Sequence, residues 1–347
     1  MGGAPKTYLM TGASGFLGRH ILEYLNEGEQ NSLVVPLVRD KTAWEDQEWN
    51  QGLGCGTVVE GSIAETEDWV NDPAIKKIDG IFHLAALVRH SRTAKEEVYE
   101  TNIEGTLNMV RLAATKKCRM VYVSTSGTVG VFDNRNQWAD EHGPYQDKQV
   151  AKWPYYDSKV KAERAARKLA DELGVTLVIL RPPAMLGPGD HRFRSTSHVI
   201  RYLRGKLPFL IRGGIHFVDI RDAAVAMVCA MQHVEPKPAY NLSGVACTID
   251  SFFKMVEDAS GVKPPKMHLP RPIALAIANT SKGMSKVIPG VKESPLPDPV
   301  VIEMAGKYWD VRSLYAKEDL GFEPRDATET LNDTVAWLRE HHPELKG

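Results

Sequence analysis

The chain has 347 residues, 43% of them hydrophobic and 25% charged, with a formal net charge of −1. This length can bury a large core, and the balanced charge gives no reason to expect nucleic acid or an anionic membrane as a partner. No transmembrane segment is predicted, because the apolar run 272–278 is far shorter than the ~20 residues of a bilayer span. The four scattered cysteines lack metal-ligand spacing, so no metal site is expected, and free thiols of a cytoplasmic protein are predicted.

Strand and helix patterns alternate along the first half of the chain, with short connections between them. Predicted strands cover residues 7–10, 32–38, 56–60, 80–84, 120–124 and 175–180, and predicted helices cover 16–25, 93–114 and 159–173. This alternation is typical of a parallel sheet covered by helices on both faces. Pro36 falls inside the second strand and predicts an end or a bulge there. Beyond residue 181, prolines and glycines interrupt the pattern, and helices interspersed with loops are predicted.

A glycine-rich turn, TGASGFLG at residues 11–18, joins the first strand to the first helix. Gly12 permits a tight turn, Gly15 lets backbone N–H groups approach a pyrophosphate, and Gly18 lets the helix pack close to the strand. The positive end of the helix dipole then faces the phosphates. The turn therefore predicts a dinucleotide-binding site.

Arg39 follows the second strand, where an NAD-binding protein commonly carries an acidic residue that accepts hydrogen bonds from the ribose. A guanidinium at this position can pair with a 2′-phosphate instead. Asp40 offers an alternative, since its carboxylate could bind a ribose. We therefore expect NADP(H) to be preferred, with NAD(H) as the alternative cofactor.

Tyr155 and Lys159 stand four residues apart, which places a phenol and an ammonium on one face of a helix. The ammonium is expected to favour the phenolate and so to bring the phenol pKa, ordinarily about 10, closer to neutrality. Tyr202 and Lys206 repeat the spacing around Gly205, but they lie beyond the sixth strand and are rejected. The first pair predicts general acid–base chemistry beside a cofactor.

In order and spacing, these motifs resemble those of the extended short-chain dehydrogenase/reductase family over nearly the whole chain. The matching elements are TGASGFLG (11–18), HLAA (83–86), NIEGT (102–106), STSGTV (124–129), YYDSK (155–159), RPP (181–183), GPG (187–189) and FVDIRD (217–222). Their texture is closest to dihydroflavonol-reductase-like and 3β-hydroxysteroid-dehydrogenase-like members, and to related bacterial epimerase/dehydratase homologues. The implied fold is a doubly wound parallel α/β sheet (Rossmann) with a smaller, mostly helical C-terminal substrate-binding domain.

The resemblance also implies how the chain is organised and assembled. An NAD(P)-binding domain is expected at residues 1–182, with later contributions from about 215–245, and a substrate-binding region at 183–347. Members often pair through two helices, which correspond here to about 93–114 and 159–173, so a homodimer is expected.

Site residues follow from the same resemblance. It assigns Tyr155 as general acid or base, Ser126 as a hydrogen-bond donor to the substrate oxygen, and Lys159 to the nicotinamide ribose hydroxyls. Asn102 would hold a water on a proton path, although a structural hydrogen bond is the alternative. Ser62 stands where many members carry an adenine-binding Asp, so a hydroxyl would serve there. Cofactor contacts are implied for Gly12, Ser14, Gly15, Phe16, Leu17, Gly18, Arg39, Ser62, Ile63, Leu84, Ala85, Ala86, Tyr155, Lys159, Pro182 and Pro183.

These features predict an NAD(P)(H)-dependent oxidoreductase that moves hydride between nicotinamide and a hydrophobic ketone or secondary alcohol, steroid-like or flavonoid-like. A nucleotide-sugar epimerase or dehydratase is the first alternative, and a non-catalytic NAD(P)-sensing regulator is the second. His191, Arg192 and Arg194 are expected to coat a surface loop, with binding of a substrate phosphate or carboxylate as the alternative. Apolar candidates for the substrate cleft are Val88, Trp138, Trp153, Met185, Phe193, Phe209 and Ile211.

Overall fold

The computed structural model describes residues 5–27, 32–50, 52–287 and 297–345. Its strands are β1 (Lys6–Thr11), β2 (Ser32–Val38), β3 (Val59–Glu60), β4 (Gly80–His83), β5 (Arg119–Val123), β6 (Val131–Phe132), β7 (Leu177–Arg181), β8 (Ala184–Leu186), β9 (Gly214–Asp219), β10 (Ala239–Asn241), β11 (Val245–Thr248) and β12 (Tyr308–Trp309). Its helices are α1 (Phe16–Glu27), α2 (Lys41–Glu45), α3 (Lys95–Tyr99), α4 (Gly105–Lys116), α5 (Asp147–Val150), α6 (Pro154–Leu173), α7 (Ser197–Leu203), α8 (Ile220–Gln232), α9 (Ile249–Ser260), α10 (Arg271–Val287), α11 (Pro299–Ala305), α12 (Ala316–Leu320) and α13 (Ala327–His341). None of the described helices is long and apolar enough to cross a membrane.

Seven parallel strands form the central sheet in the order β10-β7-β5-β4-β1-β2-β3. The chain first moves outward from β1 to β3 and then returns to place β4 on the other side of β1. This reversal creates the crevice at the carboxyl ends of β1 and β4 where open α/β sheets bind ligands. The register pairs Thr11 with His83 and His83 with Tyr122, so three strand ends meet at one edge. The predicted fold class is confirmed.

Both faces of the sheet are buried, as the period of two along β1 illustrates. Tyr8 and Met10 join the layer formed by α1, α8 and α12, whereas Leu9 joins the opposite layer formed by α4 and α6. All three side chains are at most 1% exposed, so neither face of the strand meets water. Such double coverage explains why the central strands are nearly continuous apolar runs.

Pro36 does not end β2, contrary to the sequence-based prediction. The pairing of β2 with β1 runs without a bulge from Ser32 to Leu37. On the other edge, the carbonyl of Val34 accepts from Gly56 N–H and that of Val38 from Gly61 N–H. Backbone groups of residues 34, 36 and 38 all point to that edge of β2. The proline, which lacks an N–H, therefore faces the segment between Gly56 and Gly61 and leaves the pairing with β1 intact.

Two smaller sheets were not among the predicted elements: the three-stranded sheet β11-β9-β8 in the C-terminal half, and the pair of β6 with the distant β12. These strands are only two to six residues long, so the alternation of apolar and polar residues in them is too short to distinguish a strand from a loop. The domain boundary at residue 182 remains a prediction, although β10 and α8 do pack with the central sheet.

Two helices differ from their predicted bounds in ways that affect the site. The predicted helix 93–114 is split into α3 and α4 by one π-helical turn at Glu100–Glu104. Such turns are common at functional sites. Helix α6 begins at Pro154, five residues before the predicted start, because proline is preorganised for the first helical position. Tyr155 and Lys159 therefore both lie in this helix.

A buried ion pair fastens α6 to the sheet. Arg181, the last residue of β7, donates through Nη2 to Glu163 Oε2 at 2.6 Å, and their side chains are 3% and 0% exposed. Thr128 and Tyr145 hydroxyls donate to the same carboxylate at 3.0 Å each. Burial alone would raise the pKa of Glu163, but the attraction and hydrogen bonds of Arg181 hold it below its ordinary value.

Replacing Glu163 with Gln should destabilise the fold by about 3–5 kcal/mol, because it leaves the buried Arg181 guanidinium without a counter-ion. Glu172→Gln, on the exposed end of the same helix, removes only a surface pair and should cost less than about 1 kcal/mol. Urea denaturation of both variants measures the difference. Equal losses would mean that the burial of the Arg181–Glu163 pair does not matter for stability.

Candidate active site

The glycine turn is folded as tightly as its sequence requires. Gly12 has φ +71°, and a Cβ there would lie 2.7 Å from the backbone nitrogen of Ala85 at the end of β4. A Cβ at Gly18 would lie 2.5 Å from the carbonyl oxygen of Gly12. The Gly15 N–H closes the turn by donating to Gly12 O at 2.9 Å. The backbone therefore forms a cradle that any larger residue at positions 12 or 18 would fill.

A buried hydrogen-bond chain ties this turn to the π-helical turn. Thr106 Oγ1 donates to Asn102 O at 2.7 Å and therefore accepts from His83 Nε2 at 3.0 Å. The other ring nitrogen, Nδ1, then accepts from Thr11 Oγ1 at 2.9 Å. Burial, with Lys159 nearby, lowers the pKa of His83 to about 3, so the ring is neutral and its tautomer is fixed by these partners.

Asn102 extends the chain to α6. Its amide accepts from Leu87 N–H at 2.8 Å and donates to Leu87 O and to Ser158 Oγ, the latter at 2.9 Å. Ser158 in turn donates to the backbone oxygen of Tyr155 at 2.6 Å. The side chain of Asn102 thus fixes the loop after β4 against the helix that carries Tyr155.

Ser126 lies in a 3₁₀ turn that follows β5 and is 3% exposed. Its N–H donates to Pro182 O at 2.9 Å, which joins this turn to the residue after β7. Its hydroxyl forms no hydrogen bond within the described part of the chain. The turn packs under Tyr156, whose ring would lie 2.3 Å from a Cβ at Gly127, so Tyr156 has the packing role.

The Tyr155 ring lies edge-on to its neighbour Tyr156, with centroids 5.1 Å apart, and edge-on to His90 at 5.6 Å. Its hydroxyl has no hydrogen-bond partner among the residues that the structure describes. Burial raises the pKa of Tyr155 above its ordinary value. The direction is opposite to the one expected from the sequence, because burial dominates and the Lys159 ammonium is engaged elsewhere.

Lys159 donates to the backbone oxygen of Val123 at 2.8 Å and to Tyr122 Oη at 3.3 Å, with its ammonium 4.7 Å from the Tyr122 ring centroid. Burial lowers its pKa to about 7, although Glu163 one helical turn away opposes that shift. Tyr155, Lys159 and Glu163 form one stripe along α6, and Lys159 is the member that reaches the end of β5.

The rejected pair at Tyr202 and Lys206 is structural. The Tyr202 ring is buried, stacks on Phe253 with centroids 4.9 Å apart, and donates its hydroxyl to the Val262 carbonyl. Gly205, with φ +64°, follows the end of α7, so the second residue of the pair is outside the helix.

Other predicted cofactor residues line the same edge of the sheet. Leu84 and Ala85 N–H groups donate to Thr11 Oγ1 at 3.2 Å each. Ser62 uses its hydroxyl to accept from Ala64 N–H at 3.2 Å, and Ile63 packs against Gly105. Because neighbouring strands are ~4.8 Å apart, the ends of β1 and β5 are separated by about 10 Å across β4.

A cavity of about 310 Å³ opens at the glycine turn. Ser14, Gly15 and Phe16 form one side, and Arg39 and Asp40 after β2 form another. Four further charged or ionisable side chains contribute to the lining, namely Arg19, Asp190, His191 and Arg192. The cradle and the cationic lining fit the phosphates of a dinucleotide. Tyr155, Lys159 and Ser126 are not part of this lining.

Sequence reasoning missed Arg19 and assigned Arg192 to the surface. Arg192 is exposed, but it also donates through Nη2 to Ser14 Oγ at 3.0 Å, across 178 residues of sequence. No local signal predicts such a distant contact. The apolar residues proposed for the substrate cleft are spread over separate clusters, since Trp153 packs on Trp309 whereas Phe209 and Ile211 pack with α10.

Comparison with known proteins agrees with the fold. Residues 8–243 match the model of the NAD dependent epimerase/dehydratase family. Sterol demethylase protein B of Methylococcus capsulatus is 25% identical over 342 residues, which cover 96% of this chain and 98% of that protein. Dihydroflavonol 4-reductase of Callistephus chinensis is 27% identical over 296 residues, covering 78% and 76%. The crystal structure of gox2253 superposes with a TM-score of 0.80 at 26% identity, covering 97% and 99%.

The lowered pKa of Lys159 predicts a pH-dependent stability. The pKa of Lys159 is about 7 in the folded state and about 10.4 in the unfolded state. At pH values between these two, the unfolded chain retains a proton that the folded chain has lost. The free energy of unfolding of the wild type, relative to Lys159→Met, should therefore rise with pH across this window. Urea denaturation at several pH values measures this difference.

Lys161→Met is the matched control, because Lys161 is on the same helix but 54% exposed. Its difference from the wild type should vary little over this pH window. A flat profile for Lys159→Met as well would mean that Glu163 keeps the Lys159 ammonium charged in the folded protein.

Proposed function

Since the chain belongs to the NAD dependent epimerase/dehydratase family, we propose that it is an NAD(P)(H)-dependent reductase of hydrophobic ketones, which also oxidises the matching secondary alcohols. The observation that carries this proposal is that Ser126 follows β5, and that Lys159, four residues after Tyr155 on α6, donates to the last carbonyl of β5. Ser126 and Tyr155 have hydroxyls without hydrogen-bond partners among the described residues, so both are available to a substrate oxygen.

The glycine turn, the strand ends at Leu84–Ala86 and Ser62–Ile63, and the residues Pro182 and Pro183 would hold the dinucleotide. When bound, its nicotinamide ring supplies or accepts the hydride. Lys159 would bind the nicotinamide ribose hydroxyls, which requires its ammonium to turn from Val123 O toward the cofactor. Arg39 supports a preference for NADP(H), because its guanidinium follows β2 and has no carboxylate within 4.0 Å among the described residues.

In the reducing direction, Tyr155 donates a proton to the carbonyl oxygen of the substrate as that oxygen gains negative charge. The raised pKa keeps the phenol protonated at neutral pH, which is the form that this step requires. Ser126 donates a second hydrogen bond to the same oxygen and stabilises its developing charge. Lys159 adds positive charge next to the phenolate that remains, and so lowers the cost of the transfer.

Asn102 has a positioning role in this mechanism. Its amide is committed to Leu87 and Ser158, and Ser158 bonds the Tyr155 backbone. The side chain therefore sets where α6 presents the phenol. Because the amide is engaged, these contacts support the structural hydrogen bond over a water held by the Asn102 side chain.

A lipophilic substrate is supported by the relatives, which include a dihydroflavonol reductase and a sterol demethylase protein. Epimerase or dehydratase chemistry on a nucleotide sugar is the competing function, since the family model covers such enzymes. A homodimer through α4 and α6 belongs to the same proposal. The exposed positions of α6 include Lys161, Arg164 and Lys168, so such a pair would meet through charged side chains.

Tyr155→Phe should reduce turnover by about 10²–10⁴-fold, because it removes only the proton donor, and should leave cofactor affinity nearly intact. Steady-state kinetics and a cofactor titration measure the two quantities. Tyr156→Phe is the matched control on the same helix and should retain full activity, since its ring packs and its hydroxyl has no described partner. Full activity of Tyr155→Phe would overturn the acid–base assignment.

A panel of ketones and aldehydes of graded lipophilicity distinguishes the reductase from the competing function. We expect net oxidation of NADPH that becomes faster with more lipophilic ketones, followed by nicotinamide absorbance. Cofactor that copurifies tightly, with no net oxidation of NADPH or NADH by any carbonyl, would favour an epimerase or dehydratase. The absence of both turnover and copurified cofactor would favour a nucleotide-sensing role.

A further inference from the structure

The cavity at the glycine turn, lined by Ser14, Arg19, Arg39, Asp40, Trp49 and Arg192, is built from both halves of the chain. Most of its wall comes from the first nucleotide-binding unit. Arg192 comes from the segment after β8, more than 170 residues later in the sequence. A residue of the predicted substrate-binding region thus reaches the predicted cofactor site.

The loop before Arg192 is fastened to α1. His20 donates through Nε2 to the carbonyl of Pro188 at 2.8 Å. Gly189 has φ +94°, and a Cβ there would lie 3.2 Å from the same His20 nitrogen. Arg192 then donates to Ser14 Oγ at 3.0 Å. These contacts fix the guanidinium beside the glycine turn instead of leaving it on a free surface loop.

Positive charge in the cavity exceeds the negative charge available to it. Asp40 accepts from Ala43 N–H as the N-cap of α2, and Asp190 is occupied by the backbone and hydroxyl of Thr196. Neither Arg39 nor Arg192 has a carboxylate within 4.0 Å among the described residues. Although the side chain is partly exposed, the loss of some of its hydration, and then the like charges of Arg194 and Arg39, lower the pKa of Arg192.

Arg19 adds a third guanidinium. It is paired with Glu23 through Nε at 2.6 Å and lies over the Trp49 ring, 5.4 Å from its centroid. Its Nη1 is buried and has no hydrogen-bond partner in the described structure. Cationic groups held together with donors unused are typical of a site that an anion completes.

We propose that Arg192 binds the 2′-phosphate of NADP(H) together with Arg39, which makes Arg192 a determinant of cofactor specificity supplied by the C-terminal half. This inference rests on the proposed use of NADP(H). The 2′-phosphate is favoured over the pyrophosphate because, besides the glycine turn, the cavity is walled by residues that follow β2, the strand next to the adenosine ribose. A phosphomonoester presents three oxygens, enough for two guanidinium forks and the Ser14 hydroxyl.

The test is calorimetric titration of the full-length chain with NADPH, NADH, 2′-AMP and 5′-AMP. Arg192→Ala should weaken binding of NADPH and 2′-AMP by about 10- to 100-fold, since each loses charge-assisted hydrogen bonds. Binding of NADH and 5′-AMP should not change. Arg194→Ala is the matched control, because it removes the same charge from the same loop but does not line the cavity. Thermal denaturation checks that each variant is folded.

Equal weakening of NADPH and NADH would overturn the proposal and assign Arg192 to the pyrophosphate. Unchanged affinity for all four ligands would also overturn it and return Arg192 to the surface. Arg192→Lys should restore part of the affinity for NADPH, because it returns the charge without the fork. Because every readout in this test is a binding affinity, it does not depend on turnover. If the chain binds NADPH through Arg192 but reduces no carbonyl, the role of Arg192 stands and only the proposed reductase activity is rejected.

Discussion

The ion pair between Glu163 and Arg181 is the constraint on which the site depends. It joins the middle of α6 to the last residue of β7, with both charges removed from water. Because Tyr155, Lys159 and Glu163 lie on one stripe of that helix, fixing the third fixes the rotation of the other two. The same carboxylate accepts a hydrogen bond from Thr128, so Glu163 also fixes the position of the turn that carries Ser126. A hydrophobic pair could fill this volume, but it would not set the helix rotation through directed bonds.

The hydrogen-bond chain from Thr11 through His83, Thr106 and Asn102 to Ser158 is a second tie between the elements of the site. It crosses from the glycine turn to α6 beneath the strand ends, and every member has its donor and acceptor assigned. Every polar group in this buried network is paired, and a displacement of any member would leave an unpaired group in the interior, which is costly. The network therefore specifies one arrangement. The two predicted motifs, far apart in sequence, are therefore held in one frame.

Much of this arrangement could be predicted from sequence, and the reason is local. The glycine turn and the Tyr155–Lys159 spacing are encoded within eight residues each, and the parallel sheet follows from repeated strand–helix alternation. The direction of the shift in the Tyr155 pKa could not be predicted from sequence. Burial of the phenol outweighs the effect of the Lys159 ammonium, and only the fold shows that this ammonium bonds Val123 O. Pro36 was misjudged because its tolerance depends on a gap in the neighbouring strand. The approach of Arg192 to Ser14 depends on how a loop distant in sequence folds back onto the glycine turn, and no pattern of residues predicts that.

The position of the hydrogen-bond chain has a consequence for recombining this protein with its relatives. All five of its members precede residue 159, whereas the loop that carries Arg192 follows residue 186. A chimera joined after Pro182 would inherit the whole polar chain, the phenol and both partners of the ion pair from one parent, and the loop from the other. Alignment of the reacting groups would then come from one parent, whereas the guanidinium that Arg192 adds to the site of Ser14 and Arg39 would come from the other, so this one contribution could be exchanged without rebuilding the reacting groups.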